Sequence, residues 1–575
     1  MYIYEKKRVD KNGNKASFLQ LCVSYRDKNG KPKRKMILHL GKKGDPKIET
    51  KLKEMANKMN LVAGIYDVVD LHNDIFTTWS KHIGPKLVFR KLWEELKFDF
   101  IFHGNYHEHI FMLVLNRLCD PQSKLACMDW KEEVYEPMWD DIKLYDLYFA
   151  LDWLMKNKEI VEVQMFNNIR NLFNQSIELM LFDTTSVSYW GEGEYAPNLL
   201  KFGHSKEKRS DLKQLVVGLL MTGNGIPVGH EVFSGNQVDV RNFPQIITKV
   251  KDKFGLLSRI VWVCDRGMIS ESNLSLLESI KYEYIIGVRM RMLNAAQQQV
   301  LLVDKLKDFK KIHDNLYVKE VILDIEVAIP EEEMKEGNEN KHVSDDGKKD
   351  EGKSENEING KSGKKKKKEK KEKKTKIIKR RFIVCHNPEK ADEDAIKRVH
   401  FKEIITRKVL EKADKTWIVK NGFKKYLKLK EDIIESIDYE KLEKEKIYDG
   451  KWVLLTNTEL SYEEVAKYYK SLWQIESAFR ELKSSLDVKP MYHWVDRRIR
   501  GHIFICFLAL VMELCFRNKL GEKVSYSDVM NDLKKLQATL LKVKDKEVIK
   551  RNEPVGMANI AIRQLKLELP GINLL

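Results

Sequence analysis

Short apolar segments follow one another in a fixed order between residues 177 and 288, and this order restricts the topology that the chain can adopt. Their lengths and the Thr222-Gly-Asn-Gly turn predict three strands, a helix, a strand, a helix and a strand. The predicted elements cover 177–182, 215–221, 226–233, 240–254, 259–264, 270–280 and 284–288. A long helical pattern follows much later, at 461–486.

This order is the order of a ribonuclease-H-like sheet. Well over a hundred residues separate the fifth strand from the last helix, so we expect an insertion that interrupts the sheet and ends near residue 452. The predicted fold class is therefore α/β, with a mixed sheet flanked by helices and a large insertion before the last helix. An N-terminal β meander and a helical domain precede this core.

Changes in pattern and composition divide the chain into six parts. The N-terminal part alternates polar and apolar residues around basic turns, and the second has helical spacing. The predicted parts are a basic β-rich module at 1–48, a helical domain at 49–175, the first part of the core at 176–290, an insertion domain at 291–450, the second part of the core at 451–520 and a C-terminal helical region at 521–575.

Part of the insertion has low complexity. Residues 331–380 contain 18 basic and 13 acidic side chains with few apolar ones, so we expect this segment to be disordered. Its lysine run could be a salt-sensitive tether to DNA or a solvated linker, and we favour the linker. The chain carries a net charge of +18, of which this segment supplies only about +5. The basic surplus favours a polyanionic partner.

Seven scattered cysteines without a C-x-x-C pair argue against a disulfide scaffold or a cysteine-rich zinc site. The N-terminus lacks the apolar stretch of a secretory signal. The most apolar run, 503–516, is too short to cross a bilayer and contains Glu513. We therefore expect a cytoplasmic protein without a membrane partner.

Two acids are predicted at the ends of neighbouring strands. Asp183 follows the apolar segment 179–182 and Asp265 follows 260–264. A single aspartate in such a place is more often a turn residue or a helix cap. Two carboxylates at adjacent strand ends would repel each other unless a divalent cation neutralised them, so the paired placement favours a metal site.

A third acid lies on the helix predicted for 461–486. Ser461 and Glu464 have the spacing of a capping box at its start. One apolar stripe of this helix must pack on the sheet, and it consists of Val465, Leu472, Ile475, Phe479, Leu482 and Leu486. The neighbouring stripe consists of Tyr469, Trp473, Glu476, Arg480 and Lys483. Glu476 could then join the two aspartates, although a solvated face with ordinary charge pairs would have the same pattern.

The spacing of Tyr469, Leu472, Glu476 and Lys483 resembles the Tyr-Arg-Glu-Lys signature of insertion-sequence transposases of the DDE class. More specifically, the chain resembles the insertion-sequence-four superfamily and its 1634-like group. Further similar segments are 182–185, 264–268, 472–483 and 498–503, and the resemblance spans nearly the whole chain. The chain departs from the signature at Leu472, where the family has Arg.

The resemblance implies a DNA transposase that binds the terminal inverted repeats of an insertion sequence and performs metal-dependent cleavage and strand transfer. It implies that Asp183, Asp265 and Glu476 are catalytic residues and metal ligands for two Mg²⁺ ions, with Mn²⁺ as a substitute. The residues expected to bind DNA are Tyr469, Trp473, Arg480, Lys483, Arg266, Arg498 and Arg500. Arg480 could replace the signature Arg. Trp473 could stack on a displaced base, or it could be a half-buried packing residue.

The implied partners are double-stranded DNA, as transposon ends and target, and a second copy of the chain in a synaptic homodimer. The implied location is the bacterial cytoplasm, in association with the nucleoid. The basic meander and the helical domain at 49–175 are expected to bind the transposon ends. Two alternatives stay open: a catalytically silent, domesticated DNA-binding protein, and a ribonuclease-H-like nuclease that cuts without joining.

Overall fold

The N-terminal residues form the predicted meander. The computed structural model describes residues 1–9, 15–64, 75–102, 104, 106–172, 179–237, 239–254, 260–302, 308–313, 315–328, 375–410, 426–430, 433–543 and 546–572. Its first three strands are β1 (Tyr2–Val9), β2 (Lys15–Arg26) and β3 (Pro32–Lys42). Each pairs antiparallel with the next, and β2 is the central strand.

The next part of the chain is mostly helical, as predicted, but contains one strand. The elements are α1 (Pro46–Val62), β4 (Ile75–His82), α2 (Gly84–Glu95), α3 (Phe98–Ile101), α4 (His107–Cys119), α5 (Ala126–Trp130), α6 (Leu144–Lys156) and α7 (Lys158–Leu172). The helical prediction is wrong for β4, since this strand pairs with residues far away in the sequence, which a local pattern does not reveal.

The predicted order of strands and helices in the core is confirmed. The elements are β5 (Leu179–Ser188), β6 (Gln214–Thr222), β7 (Pro227–Ser234), α8 (Asp239–Phe254), β8 (Val261–Cys264), α9 (Glu271–Ser279) and β9 (Glu283–Gly287). They lie in the order β7-β6-β5-β8-β9. The strands β5, β8 and β9 are parallel, whereas β6 and β7 are antiparallel to their neighbours. This mixed sheet is ribonuclease-H-like.

The predicted insertion between the fifth strand and the last helix is present, and its strands extend the sheet. Its elements are α10 (Ala295–Leu302), β10 (Lys310–His313), β11 (Leu316–Ala328), β12 (Thr375–His386), α11 (Pro388–Leu410), β13 (Leu427–Lys430), β14 (Ile433–Ile437), α12 (Tyr439–Lys444) and β15 (Lys451–Thr456). β15 pairs antiparallel with β9, and β12, β11 and β10 continue outward to make nine strands. Because β9 has a free edge in the five-stranded order, the insertion can add strands there.

The segment predicted to be disordered, 331–380, ends in a strand. Residues 375–380 belong to β12 and pair with β11 up to the last pair, Ala328 with Thr375. The two isoleucines at 377 and 378 give this stretch a strand propensity that its lysines obscure in a count of composition. The rest of the predicted segment, 331–374, lies outside the described residues.

The long helix predicted for 461–486 is two helices, α13 (Tyr462–Lys470) and α14 (Trp473–Ser484). The break lies at Ser471 and Leu472, where the backbone hydrogen bonding changes to the 3₁₀ pattern. The amide of Leu472 donates to the carbonyl of Tyr469, three residues earlier. The predicted capping box is present, since Ser461 and Glu464 bond to each other's backbone amides.

The next helix, α15 (Asp496–Leu520), forms the centre of the helical layer, packing against α4, α6 and β7. Among the helices that the structure describes, it alone is long and apolar enough to cross a membrane, with a mean hydropathy of 1.9. Its apolar window is 89% buried inside the protein, as expected for a core helix. The predicted apolar run at 503–516 is therefore part of a 25-residue helix.

The C-terminal region was predicted to be helical, but it also contains a β-hairpin. Its elements are α16 (Tyr526–Lys534), β16 (Gln537–Val543), β17 (Lys546–Arg551) and α17 (Ala558–Gln564). The hairpin joins β4 in a sheet of order β17-β16-β4. Most side chains of β16 and β17 are half-exposed, so polar and apolar residues alternate only weakly along these strands. The strand pattern is therefore easily missed in the sequence.

The chain divides into two compact units. One consists of residues 1–81, 537–552 and 570–575, and contains the meander, α1 and the three-stranded sheet. The other consists of residues 82–536 and 553–569, and contains the nine-stranded sheet with its helices. The main hydrophobic core lies in this second unit. The DNA-end binding predicted for 49–175 stays a prediction.

Candidate active site

Two of the three predicted acids lie side by side in the sheet. β5 and β8 are parallel neighbours whose register pairs Phe182 with Cys264. Asp183 follows Phe182 within β5 and Asp265 follows Cys264 directly after the end of β8, so the two acids lie next to the same pair of a parallel ladder. The prediction placed Asp183 directly after the end of its strand. In the structure Asp183 lies within β5, because β5 continues to pair with β6 as far as Ser188.

The third acid comes from the helix that covers this part of the sheet. α14 packs against β5, and Glu476 lies in its first turn with its side chain exposed. Asp183, Asp265 and Glu476 all border one cavity of about 980 Å³. The three predicted acids, from three separate parts of the chain, therefore border one concavity, which Asp394 of the insertion also borders.

Each aspartate has a polar neighbour that fixes it. The backbone amide of Thr184 donates a hydrogen bond of 2.7 Å to Oδ1 of Asp183. The hydroxyl of Tyr469 donates to Oδ1 of Asp265 over 3.4 Å. Burial raises the pKa of the Tyr469 phenol, and the negative charge of Asp265 raises it further, so this hydroxyl stays protonated and acts as a donor.

Gly287 at the end of β9 makes room for Tyr469. A Cβ atom added at position 287 would collide with the Tyr469 hydroxyl. Residue 287 also borders the cavity. A glycine is therefore required here for the close approach of the phenol to the strand. The sequence pattern does not show this role, because the two residues are far apart along the chain.

The chemistry of the three acids suits a hard divalent cation, since carboxylate oxygens are the ligands that Mg²⁺ prefers. Nζ of Lys206 lies 3.8 Å from Oδ1 of Asp183 and balances part of its charge. Among the described residues, no three His, Cys, Asp or Glu side chains are grouped closely enough to hold an ion as they stand. The donor set fits, and binding would require the carboxylates to draw together.

Lys483 lies in the last turn of α14 and forms an ion pair with Glu207, with 3.1 Å between Nζ and Oε1. Glu207 also pairs with Lys489, at 2.9 Å, and accepts a hydrogen bond of 2.7 Å from Ser188 at the end of β5. Burial lowers the pKa of Lys483, although Glu207 opposes this shift. Lys483 does not border the cavity itself, but this network connects it to the strand of Asp183.

Three of the other predicted DNA-binding residues lie near the acids. Trp473 and Arg266 border the cavity, and both side chains are exposed. Trp473 is 61% exposed, so it is not the half-buried packing residue of the alternative interpretation. Arg480 is exposed one turn after Glu476 on the same helix but does not border the cavity. Leu472, which stands in the place of the signature Arg, is buried at the cavity's edge.

The structure does not bring Arg498 and Arg500 to this cavity. Arg498 lies near Asp152, at 3.5 Å, and over the ring of Tyr148. Arg500 pairs with Asp496 and donates a hydrogen bond of 2.6 Å to the carbonyl of Val232. Both guanidinium groups are thus engaged in contacts within the protein, and the contacts with Asp152 and Val232 join parts of the chain that are far apart in sequence.

Sequence reasoning missed several basic residues of the site. Lys206 contacts Asp183, and Lys390 and Lys470 border the cavity. Lys390 belongs to the insertion, which therefore forms part of the cavity wall. One signal was available for Lys206: it lies in the charged run His-Ser-Lys-Glu-Lys-Arg at 204–209, shortly after the strand of Asp183.

Comparisons with known proteins were consistent with one another. A family model described as the transposase DDE domain matches residues 174–512, more than half of the chain. A second, described as the N-terminal domain of IS1634 family transposases, matches residues 3–65. No curated protein matches the chain.

Three solved structures are similar at low sequence identity. The piggyBac transposase synaptic complex with hairpin DNA is 9% identical, with 80% of this chain and 82% of that chain covered and a TM-score of 0.33. The Mos1 transposase paired-end complex with left transposon end is 10% identical, with coverages of 32% and 60% and a TM-score of 0.14. The Mos1 mariner paired end complex with Mn is 11% identical, with coverages of 42% and 68% and a TM-score of 0.14. These TM-scores are too low to establish a shared fold.

Proposed function

The chain belongs to the DDE transposases, and from this premise we propose that Asp183, Asp265 and Glu476 are the residues that carry out its DNA cleavage and strand transfer. Its N-terminal residues match the IS1634 family. The chain is a DNA transposase, and the assignment of the reaction to particular side chains is the proposal.

One observation supports the assignment more than any other. Asp183 and Asp265 follow the paired residues Phe182 and Cys264 on parallel strands, and Glu476 borders the same cavity from α14. Carboxylates from separate elements that border one concavity are typical of a site whose negative charge a bound cation neutralises.

The carboxylates of Asp183, Asp265 and Glu476 would hold two Mg²⁺ ions, or Mn²⁺ in their place. When bound, the ions would activate the attacking water or 3′-hydroxyl oxygen and stabilise the leaving oxygen at phosphorus. Tyr469 holds the carboxylate of Asp265 in place through its protonated hydroxyl. No covalent intermediate with the protein is needed, since an oxygen nucleophile attacks the phosphodiester directly in both steps.

The basic and aromatic residues around the acids would position DNA. Lys483 would bind a backbone phosphate near the cut, and Arg266 and Arg480 would contact neighbouring phosphates. The exposed ring of Trp473 at the cavity would stack on a base displaced from the duplex, since an aromatic face accepts any base. These contacts fix the scissile bond and do not read sequence.

The substrate would be the terminal inverted repeats of the element and a target duplex, bound by a synaptic homodimer in which both ends are processed together. The meander and the helical residues 49–175 would recognise the ends. The protein would act in the bacterial cytoplasm at the nucleoid, without a membrane partner. The net charge of +18 is consistent with such a polyanionic partner.

A cleavage and joining assay tests the assignment. The purified chain is incubated with Mg²⁺, a duplex carrying the terminal sequence of its own element, and a target plasmid. We expect wild type to cut the end and to form covalent joint products, and Asp183→Ala to form neither while it still binds the duplex.

Other results would favour the alternatives. Cutting without joint products, even from a substrate with a 3′-hydroxyl end, would indicate a nuclease. DNA binding with no difference between wild type and Asp183→Ala in nicking would indicate a catalytically silent DNA-binding protein.

A further inference from the structure

The segment 205–209 lies along the strand that carries Asp183. Its contacts are with alternate residues of β5: Nζ of Lys206 donates to the carbonyl of Thr184 at 2.6 Å, and the amide of Lys206 donates to Oγ of Ser186 at 2.8 Å. Oγ of Ser188 donates to Glu207. The three β5 residues are buried polar side chains, whose burial is costly without partners. The segment is therefore fixed to the catalytic strand.

Glu207 stands between two lysines. Its Oε1 lies 3.1 Å from Nζ of Lys483, and its Oε2 lies 2.9 Å from Nζ of Lys489. Only 13% of the Glu207 side chain is exposed. Burial by itself would raise the pKa of this carboxyl, but the hydrogen bonds from Ser188 and Lys489 and the charge of Lys483 lower it to about 2. Glu207 is thus ionised at any pH at which the enzyme works.

The positive charge here exceeds what Glu207 can balance. Lys483 and Lys489 both pair with Glu207, and Lys206 is the residue before Glu207, with its ammonium group on the carbonyl of Thr184. Nζ of Lys206 also lies 3.8 Å from Oδ1 of Asp183, so the lysine is next to the carboxylate proposed to hold the metal. A cluster of cations beside a phosphodiester-cutting site suits a phosphate anion.

We propose that Lys206, Lys483 and Lys489 form one binding subsite for a DNA phosphate beside Asp183, and that Glu207 is a positioning residue that holds Lys483 and Lys489 at a fixed spacing. The proposal rests on the function proposed above, in which Lys483 contacts the DNA backbone. It adds Lys206 and Lys489 as further phosphate ligands and gives Glu207 a role.

The role of Glu207 follows from the flexibility of lysine. A lysine side chain has many rotamers, and fixing it on a phosphate costs entropy. Glu207 restricts two such side chains before DNA arrives, so that they meet the phosphate in a productive geometry. It also repels the phosphate. Glu207 could thus act by positioning the lysines or by screening their charge from DNA, and removing its charge separates the two roles. Loss of positioning lowers the cleavage rate, whereas loss of screening raises the affinity for DNA.

The test measures single-turnover cleavage of a duplex that carries the terminal sequence of the element, with Mg²⁺ and saturating protein, together with DNA affinity at several salt concentrations. For Glu207→Gln we expect the cleavage rate to fall about 10-fold or more while affinity is equal or tighter. Glu207→Asp, which keeps the charge, should recover part of the rate.

For Lys206→Gln and Lys489→Gln we expect about 10-fold slower cleavage. In each variant the slope of log affinity against log salt concentration should decrease by about one, which corresponds to the loss of one phosphate contact. Lys489→Arg should keep most of the rate. Lys206 and Lys489 are 41% and 32% exposed, so their substitution spares the core. Lys535→Gln, at an exposed lysine outside the site, is the matched control and should behave as wild type.

The proposal is overturned if Glu207→Gln binds DNA more tightly and cuts at the wild-type rate, since Glu207 would then only screen the lysines. It is also overturned if Lys206→Gln and Lys489→Gln match the Lys535→Gln control. Asp183→Asn distinguishes failure of the subsite from failure of the proposed function. If Asp183→Asn is inactive while the lysine and Glu207 variants match wild type, only the proposed subsite is wrong. If wild type does not cut, or Asp183→Asn cuts equally well, both fail.

Discussion

Tyr469 places a hydroxyl beside one of the three acids, and its contribution can be measured by removing a single oxygen atom. Tyr469→Phe keeps the ring and loses the hydrogen bond to Asp265. A hydrogen bond to a charged group contributes about 1.5–3 kcal/mol, and this one is long, at 3.4 Å, so the lower end of the range applies. We therefore expect cleavage to slow by at most roughly 10-fold with little change in thermal stability. Tyr468→Phe, at the preceding tyrosine, which does not border the cavity, is the control. Equal rates for the two variants would show that the hydroxyl has no role.

Glu513 on α15 should make stability depend on pH. Its side chain is 1% exposed, and Arg517 donates a hydrogen bond of 2.9 Å to it. Burial raises its pKa from 4.5 to about 7, although Arg517 opposes the shift. Between these values the folded protein binds more protons than the unfolded chain, so this residue's contribution to stability is lost as the pH rises through 7.

In wild type, Glu513 should lower the free energy of unfolding by at most about 3 kcal/mol as the pH rises, and we expect Glu513→Gln to abolish this decrease. The measurement is the thermal midpoint of wild type and variant at pH 5 and at pH 8. The midpoint should fall less from pH 5 to pH 8 in Glu513→Gln than in wild type. An identical fall in both proteins would mean that Glu513 has an ordinary pKa.

Single residues were predictable where the local pattern decides their place. Asp265 could be placed after an apolar strand, and Ser461 and Glu464 could be paired as a capping box, because a few neighbouring residues suffice. Arg498 contacts Asp152 on α6 and Arg500 contacts the carbonyl of Val232 on β7, and neither partner can be identified from the local sequence. The expected contact of these two arginines with DNA stays a prediction.

At the scale of elements, the strand order of the core could be predicted because each strand is a short, strongly apolar segment between turns. The break between α13 and α14 could not, since the apolar stripe is continuous across Leu472. Apolar residues on both sides of the break, such as Val465 and Ile475, are buried, as they would be on one continuous helix. Strands β4 and β16 also escaped prediction, because each depends on a partner far away in the sequence.

The connection between β11 and β12 offers a test at this scale. Residues 329–374 join two strands whose facing ends pair Ala328 with Thr375, so a short turn can replace them. We expect a chain with a four-residue turn here to cut DNA at nearly the wild-type rate. The shorter loop should also stabilise the sheet by up to about 2 kcal/mol, because closing it costs less entropy.

The measurements are single-turnover cleavage, thermal midpoint and DNA affinity at low and high salt. Retained affinity would agree with the linker interpretation of the lysine-rich run. A loss of affinity together with a weaker salt dependence would contradict it and would show that the run is a DNA tether.

At the scale of the whole molecule, the acids lie in one of the two compact units, 82–536 with 553–569, whereas the N-terminal family match at 3–65 lies in the other. Residues 183, 265 and 476 border one cavity because β5 pairs in parallel with β8 and α14 docks on β5. The order of elements predicts the first of these contacts. The part of the insertion in the cavity wall was not predictable, because it depends on strands added at the edge of the sheet.

The most direct measurement of the proposed common metal site is Mn²⁺ binding by electron paramagnetic resonance, with the terminal duplex present. The proteins compared are wild type, Asp183→Asn, Asp265→Asn and Glu476→Gln. We predict that wild type binds two ions and that each substitution weakens binding at least 10-fold, while every variant still binds the duplex. Wild-type Mn²⁺ affinity in any one of the three variants would contradict a common metal site.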